Sequence, residues 1–202
     1  MPELPEVETV RRGLAHFLTG YTLRSSQDLH PRVLKPASIA PLNAVVGARI
    51  KGVKRRGKFL WFELDRDQAL VAHLGMSGQF LVARKDRPEP GHVRARFALK
   101  KGLKSHELVF SDQRTFGWLS VEELVSGVPT SALHIAVDPF DPAFDRDEVI
   151  ARMKSRKAAI KSVILNQEIM SGVGNIYADE SLWRAKIHPE TCLLYTSDAA
   201  DD

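Results

Sequence analysis

The chain has 202 residues, 44% hydrophobic and 27% charged, a composition typical of a folded globular protein and not of a disordered one. No apolar run approaches the roughly eighteen residues of a membrane span, and a single cysteine, Cys192, excludes an internal disulfide framework and a multi-cysteine zinc site. The net charge is +4, and cations cluster in segments 51–58, 100–104 and 152–161, which favours nucleic acid as the partner.

The first predicted element is a helix over residues 5–18. Its apolar side chains recur at helical spacing, at Val7, Val10, Leu14, Phe17 and Leu18. Pro5 is suited to the first turn of a helix, and Gly20 is a natural stop.

Residues 22–125 have the pattern of short β-strands separated by glycine, proline and polar residues. The apolar runs lie at 59–64, 69–76, 79–83, 94–100 and 107–111. Many short strands at this spacing predict a sandwich or a barrel. Segment 84–92, rich in proline and charge, is predicted to be a loop.

A helical pattern resumes after the proline- and aspartate-rich segment 138–145. It predicts a helix that carries Arg156 and Lys161, a break at SGVGN, and a further helix to about residue 185 with Asn175 as its N-cap. We therefore predict a β-rich domain over 1–134 and a helical domain over 135–190. Residues 191–202 lack an amphipathic pattern and are treated as an appended tail.

Pro2 is a candidate nucleophile. Once Met1 is removed, its nitrogen is a secondary amine with a pKa of about 7.7–8.0, against about 10.4 for lysine, so far more of it is unprotonated at neutral pH. Attack of this amine on a sugar carbon gives a cationic iminium, and the adjacent Glu3 can protonate the sugar or the leaving group. Two alternatives remain at this point: PELPE merely begins a helix, or the chain is a tautomerase with an N-terminal proline.

Lys58 opens an apolar strand directly after a cationic turn. Partial burial and neighbouring positive charges lower the pKa of a lysine in such a place. It is a candidate acid or base, or a phosphate clamp; an ordinary solvated strand end is the competing interpretation.

Three glycine-bounded segments complete the set. HLGMSG places Met76 in a tight turn, and DQRTFG places Arg114 and Phe116 in a loop. An apolar or aromatic side chain beside an arginine is typical of proteins that flip a base out of a duplex, although Phe116 alone is more typical of a core. SGVGN precedes a helix, where backbone N–H groups can seat a phosphate or glycines can serve packing.

Read together, PELPEVET, RRGKFL, HLGMSG, DQRTFG and GVGNIYADESL resemble the formamidopyrimidine-DNA glycosylase family, the bacterial base-excision enzymes for oxidised purines. The resemblance runs from Met1 to about Pro189. The opening PELPE favours this branch over the related endonuclease VIII branch, which opens PEGPE. The resemblance implies an α+β fold, with an N-terminal β-sandwich flanked by helices and then a helix-two-turns-helix domain, incomplete in this chain.

The implied activity has two steps: removal of 8-oxoguanine or formamidopyrimidine, and cleavage of the abasic site by β,δ-elimination. The implied partner is double-stranded damaged DNA, bound by a monomer in the bacterial cytoplasm, with no membrane involved. The resemblance makes Pro2 the nucleophile at C1′ of the deoxyribose, Glu3 the proton donor and Lys58 the acid for β-elimination. It implies that Met76, Arg114 and Phe116 fill the gap left by the flipped base, with Arg114 facing the orphan cytosine. DNA phosphates would be held by His92, Arg156, Lys161 and Asn175.

The chain departs from the family pattern in three places. Position 156 is arginine where many relatives have lysine, and position 115 is threonine where some have a second arginine. The family also has a C-terminal four-cysteine zinc finger, whose arginine assists δ-elimination; this chain has no such ligand set, and we expect no cofactor within it. From the sequence we expect weak or absent activity, and a non-catalytic module that binds damaged DNA is the alternative.

Overall fold

The computed structural model describes residues 2–83 and 90–192. The chain divides into two units, Met1–Leu133 and His134–Asp202. No helix within the two described ranges is long and apolar enough to cross a membrane.

The first unit begins with helix α1, Leu4–Leu18, which confirms the predicted N-terminal helix. Its start is fixed locally, because Pro5 lies in the first turn and Glu3 occupies the N-cap position. Its buried face consists of Leu4, Val7, Leu14 and Leu18.

Within the described residues, nine strands form two antiparallel sheets, which confirms the predicted sandwich. One sheet has the order β1-β6-β7-β5 and contains Thr22–Asp28, Val93–Lys101, Lys104–Asp112 and Gly78–Ala83. The other has the order β2-β3-β4-β8-β9 and contains Ile50–Arg56, Phe59–Leu64, Gln68–His73, Trp118–Val125 and Val128–Pro129. The strand predicted over 69–76 ends at His73, because residues 74–77 form the turn into β5.

The main core of this unit combines side chains from both sheets with the buried face of α1. Leu60 and Phe62 of β3 lie in the same cluster as Phe97 of β6 and Phe110 of β7, all fully buried. Burial of apolar area on this scale is the dominant stabilising term in a domain of this size. It also gives α1, and with it the N-terminus, a rigid support.

A charged network joins α1 to strand β2. The Glu8 carboxylate accepts hydrogen bonds from Arg11 (2.8 Å) and Arg12 (2.7 Å) on its own helix and from Arg55 Nε (2.7 Å) on β2. Arg11 also donates to the carbonyl of Val53 (3.1 Å). The hydrogen bond from Arg11, followed by those from Arg12 and Arg55, lowers the pKa of Glu8 to about 2.

This network predicts a specific dependence of stability on pH. A carboxyl whose pKa is lower in the folded state stabilises the fold above its unfolded-state pKa, near 4.5, and loses that contribution as pH falls towards 2. We expect Glu8→Gln to lower the free energy of unfolding at pH 7 by about 1–2 kcal/mol. The free energy of unfolding of this variant should also fall less steeply between pH 4.5 and pH 2 than that of the wild type. Urea unfolding across that range measures both. The exposed Asp28→Asn is the control, and an unchanged slope in Glu8→Gln would contradict the assignment.

The described part of the second unit, residues 134–192, contains three helices: α2 (Arg146–Lys154), α3 (Ile160–Ile164) and α4 (Asn175–Ala185). Two sequence predictions are wrong here. Arg156 does not share a helix with Lys161, because Ala159 is extended and pairs with Cys192, which draws the chain out of the helix before Ile160. Asn175 is not the N-cap of α4: Gly174 holds that position in an extended conformation.

Two sequence predictions fall partly outside the described residues. Of the predicted tail, Thr191 accepts a hydrogen bond from the backbone N–H of Ile160 (2.9 Å) and Cys192 pairs with Ala159. Residues 193–202 lie outside the described ranges. Of the predicted loop 84–92, only residues 90–92 are described, as a turn that leads into β6.

Candidate active site

The N-terminal turn of α1 fixes Pro2 and Glu3. Glu3 and Glu6 form a reciprocal capping box, in which the Glu3 backbone N–H donates to the Glu6 carboxylate at 2.9 Å. Glu3 is only 3% exposed. Its carboxylate is therefore held within the protein, unlike that of a solvent-exposed residue at a frayed terminus. The helix start therefore places a buried carboxylate next to the predicted nucleophile.

Lys58 lies at the tip of the hairpin between β2 and β3. Arg56 pairs with Phe59, so the loop has two residues, Gly57 and Lys58. Gly57 has φ 53°, the left-handed conformation that such tight hairpins require. Burial lowers the pKa of the Lys58 amine, and the charge of Glu3 opposes that shift. The fold thus brings the predicted proton donor and the predicted elimination acid into electrostatic contact.

Strand register brings two further segments to the same sheet edge as Lys58. Phe59 pairs with His73, and His73 pairs with Trp118. Turn 74–77 follows His73, and loop 113–117 precedes Trp118. Three segments therefore meet at the same end of strands β3, β4 and β8 of the five-stranded sheet: the Lys58 hairpin, turn 74–77 and loop 113–117.

Turn 74–77 and loop 113–117 interlock through glycine. Gly75 has φ 58°, and a Cβ added there would lie 2.5 Å from the backbone N of Gly117. Position 75 therefore accepts only glycine, since any side chain would collide with the backbone of loop 113–117. The interlock brings Met76 and Arg114 together, with Arg114 Nη1 3.5 Å from the Met76 sulfur.

Phe116 is not a core residue, contrary to what its residue type alone suggests. It is 59% exposed, Met76 is 45% exposed, and Arg114 is exposed as well. Met76, Arg114 and Phe116 form one exposed set, and we call them the insertion residues after the role that the resemblance predicts for them.

Asp112 holds this arrangement together, and sequence reasoning missed it. The residue is fully buried. Its carboxylate accepts from Ser77 Oγ (2.5 Å), from the backbone N–H of Arg114 (3.2 Å) and from that of Gly117 (2.7 Å). The only sequence signal is an aspartate directly before the loop, a position where carboxylates commonly accept backbone N–H bonds.

The backbone of Asp112 also anchors His92. Its N–H donates to the carbonyl of His92 (3.0 Å), and its carbonyl accepts from Arg94 Nε (2.8 Å). His92 is exposed, with φ 58°. A predicted phosphate ligand is thereby held next to the loop that carries two insertion residues.

His73 is the second residue that sequence reasoning missed. Its ring stacks on Trp118 with centroids 5.7 Å apart and meets the edge of Phe59. Burial, then the charges of Lys58 and Lys35, lower its pKa to about 4, so the ring is neutral at pH 7. Its Nδ1 accepts from the backbone N–H of Gly75 (3.1 Å), which leaves the hydrogen on Nε2. The sequence signal was its place directly before LGMSG.

The helical unit carries the other three predicted site residues. Arg156 and Asn175 are exposed, and Asn175 is the first residue of α4. Lys161 Nζ forms an ion pair with Asp179 Oδ1 at 2.7 Å. Gln167 shapes the glycine segment before α4, because its side chain accepts from Gly172 N–H (2.8 Å) and donates to the carbonyl of Val173 (3.0 Å).

The residues present do not fit the structural zinc that the resemblance implies. The chain contains one cysteine, Cys192. Within the described residues, no group of three or more histidine, cysteine, aspartate or glutamate side chains could hold a metal ion.

Comparisons with known proteins identify relatives of both parts of the chain. Residues 1–119 match the family model of the formamidopyrimidine-DNA glycosylase N-terminal domain, and residues 135–194 match that of its H2TH domain. The formamidopyrimidine-DNA glycosylase of Acidothermus cellulolyticus is 52% identical over 95% of this chain and 68% of its own length. That of Nocardioides sp. is 49% identical over 94% of this chain and 65% of its own length. The chain thus spans about two thirds of these relatives.

Solved structures give the same result. The complex of Lactococcus lactis Fpg with DNA containing an abasic site superposes with a TM-score of 0.80 at 33% identity, over 95% of this chain and 69% of that one. MutM in complex with DNA containing carbocyclic 8-oxo-G gives 0.80 at 33% identity, over 95% and 72%. On its sequence, its two matched domains and its fold, the chain belongs to the formamidopyrimidine-DNA glycosylase family.

Proposed function

We propose that this chain is a DNA glycosylase of base excision repair that removes oxidised purines and then cleaves the abasic site. The observation that carries the proposal is that two buried side chains, Glu3 next to Pro2 in the chain and Lys58, lie close enough for the charge of Glu3 to raise the pKa of Lys58. A tautomerase needs neither the buried lysine nor the exposed insertion residues. A binding module needs no buried carboxylate at the N-terminus.

The first chemical step uses Pro2 and Glu3. As the Pro2 nitrogen bonds to C1′ of the lesion nucleotide, the bond from C1′ to the base breaks and the base leaves with the electron pair. The Pro2 nitrogen then releases its own proton, and the departing base takes up one. The C1′–O4′ bond then opens to give the cationic iminium, and Glu3 supplies the proton that O4′ needs. Burial of Glu3 keeps this proton transfer away from bulk water.

The second step uses Lys58. In β-elimination, C2′ loses a proton to a base, the electrons of that bond move towards the iminium, and the C3′–oxygen bond breaks. We propose Lys58 as the acid that assists departure of the 3′ phosphate. Burial lowers the pKa of its amine, so the protonated form is a stronger acid than a solvated lysine.

The insertion residues and the cations supply recognition. We propose that Met76, Arg114 and Phe116 enter the stack where the lesion base leaves it, with Arg114 facing the orphan cytosine. Their exposure on two interlocked segments suits that role.

Phosphate contacts are proposed for His92 in the sandwich domain, residues 1–134, and for Arg156, Lys161 and Asn175 in the helical domain, residues 135–190. The ion pair with Asp179 restricts the Lys161 ammonium, so phosphate binding there has to replace or share that contact. We place this activity in the bacterial cytoplasm, on nucleoid DNA, since the relatives named above are bacterial proteins.

Borohydride trapping tests the proposal. The chain with Met1 removed is incubated with a duplex containing 8-oxoguanine in the presence of borohydride, which reduces an iminium to a stable bond. We expect a covalent adduct between protein and DNA, and we expect Pro2→Gly to reduce it sharply because it exchanges the secondary amine for a more flexible primary one. A duplex with guanine in place of the lesion is the control.

Each other outcome has a definite meaning. No adduct with retained, salt-sensitive duplex binding would leave only the damaged-DNA-binding module. Undiminished trapping by Pro2→Gly would assign the nucleophile to a lysine. Peptide mapping of the adduct identifies the attached residue directly.

A further inference from the structure

A pocket lies at the opposite end of α1 from Pro2. Helix α1 has 15 residues, so its ends are about 22 Å apart. The pocket has a volume of about 960 Å³ and is lined by the last turn of α1 and by the hairpin between β6 and β7. It belongs to neither the Lys58 hairpin nor the interlocked turn and loop.

Two exposed apolar side chains border this pocket. Phe17 is 61% exposed, and Leu103 is fully exposed at the tip of the hairpin. Lys101 pairs with Lys104, so Gly102 and Leu103 form a two-residue loop, where polar residues are the usual choice. Single exposed apolar residues are ordinary, but two at the rim of one concave site provide an apolar anchor point.

The charge of the pocket has one sign. Its lining residues, as far as the chain is described, include Lys101 and Lys104 but no aspartate or glutamate. Lys101 Nζ donates to the carbonyl of Thr19 (3.0 Å), while Lys104 is exposed at the rim. His106 Nδ1 is buried without a hydrogen-bond partner among the described residues. The two lysines give the pocket a positive charge that complements an anionic ligand.

We propose that this pocket binds a short acidic segment of a partner protein. An aliphatic or aromatic side chain of the segment packs between Phe17 and Leu103, and its carboxylates face Lys101 and Lys104. Duplex DNA fits less well, because phosphate contacts use cations and polar groups and leave Leu103 without a partner. The proposal is independent of the glycosylase chemistry.

Selection from a displayed library of random dodecapeptides tests the proposal. The full chain is the target. Peptides that also bind a Leu103→Ser, Lys104→Glu double variant are discarded, because they bind outside the pocket. We expect enrichment of peptides that combine acidic residues with an apolar one. Synthetic copies should bind with micromolar affinity and lose about tenfold with either single substitution, which corresponds to about 1.4 kcal/mol.

Controls separate this result from folding and from DNA binding. Both substituted side chains are exposed, so thermal unfolding should be unchanged; Arg32→Glu, an exposed cation of the same unit outside the pocket, should leave peptide affinity unchanged. No enrichment, or enriched peptides that are insensitive to both substitutions, would overturn the proposal. So would a loss of duplex affinity in Lys104→Glu together with a reduced salt dependence, since that assigns the face to DNA.

Discussion

Asp112→Asn is expected to lower the single-turnover rate of base removal from an 8-oxoguanine duplex by about 100-fold, the loss typical of a displacement of about 1 Å in positioning groups. Asparagine has one acceptor oxygen where the carboxylate has two, so its NH₂ group must face a backbone N–H of Arg114 or Gly117. The insertion residues then lose their common support. Quenched-flow assays measure the rate, and urea unfolding should show a loss of about 2–3 kcal/mol.

A second substrate distinguishes loss of positioning from general damage. A single-stranded oligonucleotide with an abasic site needs no base flipping, so Asp112→Asn should retain most of its activity there. Ser77→Ala removes one of the three donors to Asp112 and should cost only about 1 kcal/mol of stability. Equal losses on both substrates in folded Asp112→Asn would contradict the role given to Asp112.

Lys58→Met is expected to slow β-elimination on a preformed abasic duplex by about 10²–10⁴-fold, the range of general acid catalysis. The fold should not weaken, because methionine removes a cation whose burial lowers its pKa and burying an apolar side chain carries no such penalty. Gel assays of strand cleavage and urea unfolding therefore separate the two effects. A folded Lys58→Met with the wild-type elimination rate would exclude Lys58 as the acid.

The pH profile of elimination gives an independent check. The rate should fall as pH rises through the pKa of Lys58, and that fall should occur below the roughly 10.4 of an ordinary lysine. Since the charge of Glu3 raises the Lys58 pKa, Glu3→Gln should move the fall to lower pH. Lys58→Arg should abolish it, because arginine stays protonated. Spontaneous cleavage of protein-free duplex is subtracted at each pH, and an unmoved profile in Glu3→Gln would contradict the coupling.

Local patterns were sufficient to predict much of the fold. The helical spacing of Val7, Leu14 and Leu18 predicted α1, and runs such as 59–64 coincide with strands. The break before Ile160 was not predictable, because it depends on pairing between Ala159 and Cys192, far apart in sequence. Non-local pairing of this kind leaves no signature in residue periodicity.

In the candidate site, too, some residues could be predicted from the sequence and others could not. Pro2, Glu3 and Lys58 could be proposed because their chemistry is unusual for their positions. Asp112 and His73 could not, because their roles arise from cross-strand register and from burial. An aspartate at a strand end and a histidine two residues before a glycine are common in sequences. The roles of Asp112 and His73 follow only from the residues around them in the folded protein.

The close approach of Gly75 to the peptide bond between Phe116 and Gly117 also limits how this protein can be redesigned. Turn 74–77 and loop 113–117 form a matched pair, so a segment grafted from a relative into one of them must fit the backbone of the other. Under the proposed role of Arg114 opposite the lesion, attempts to alter which base is accepted there should exchange both segments together. Libraries that vary Met76, Arg114 and Phe116 while keeping Gly75, Asp112 and Gly117 constant would search side-chain chemistry on an intact support.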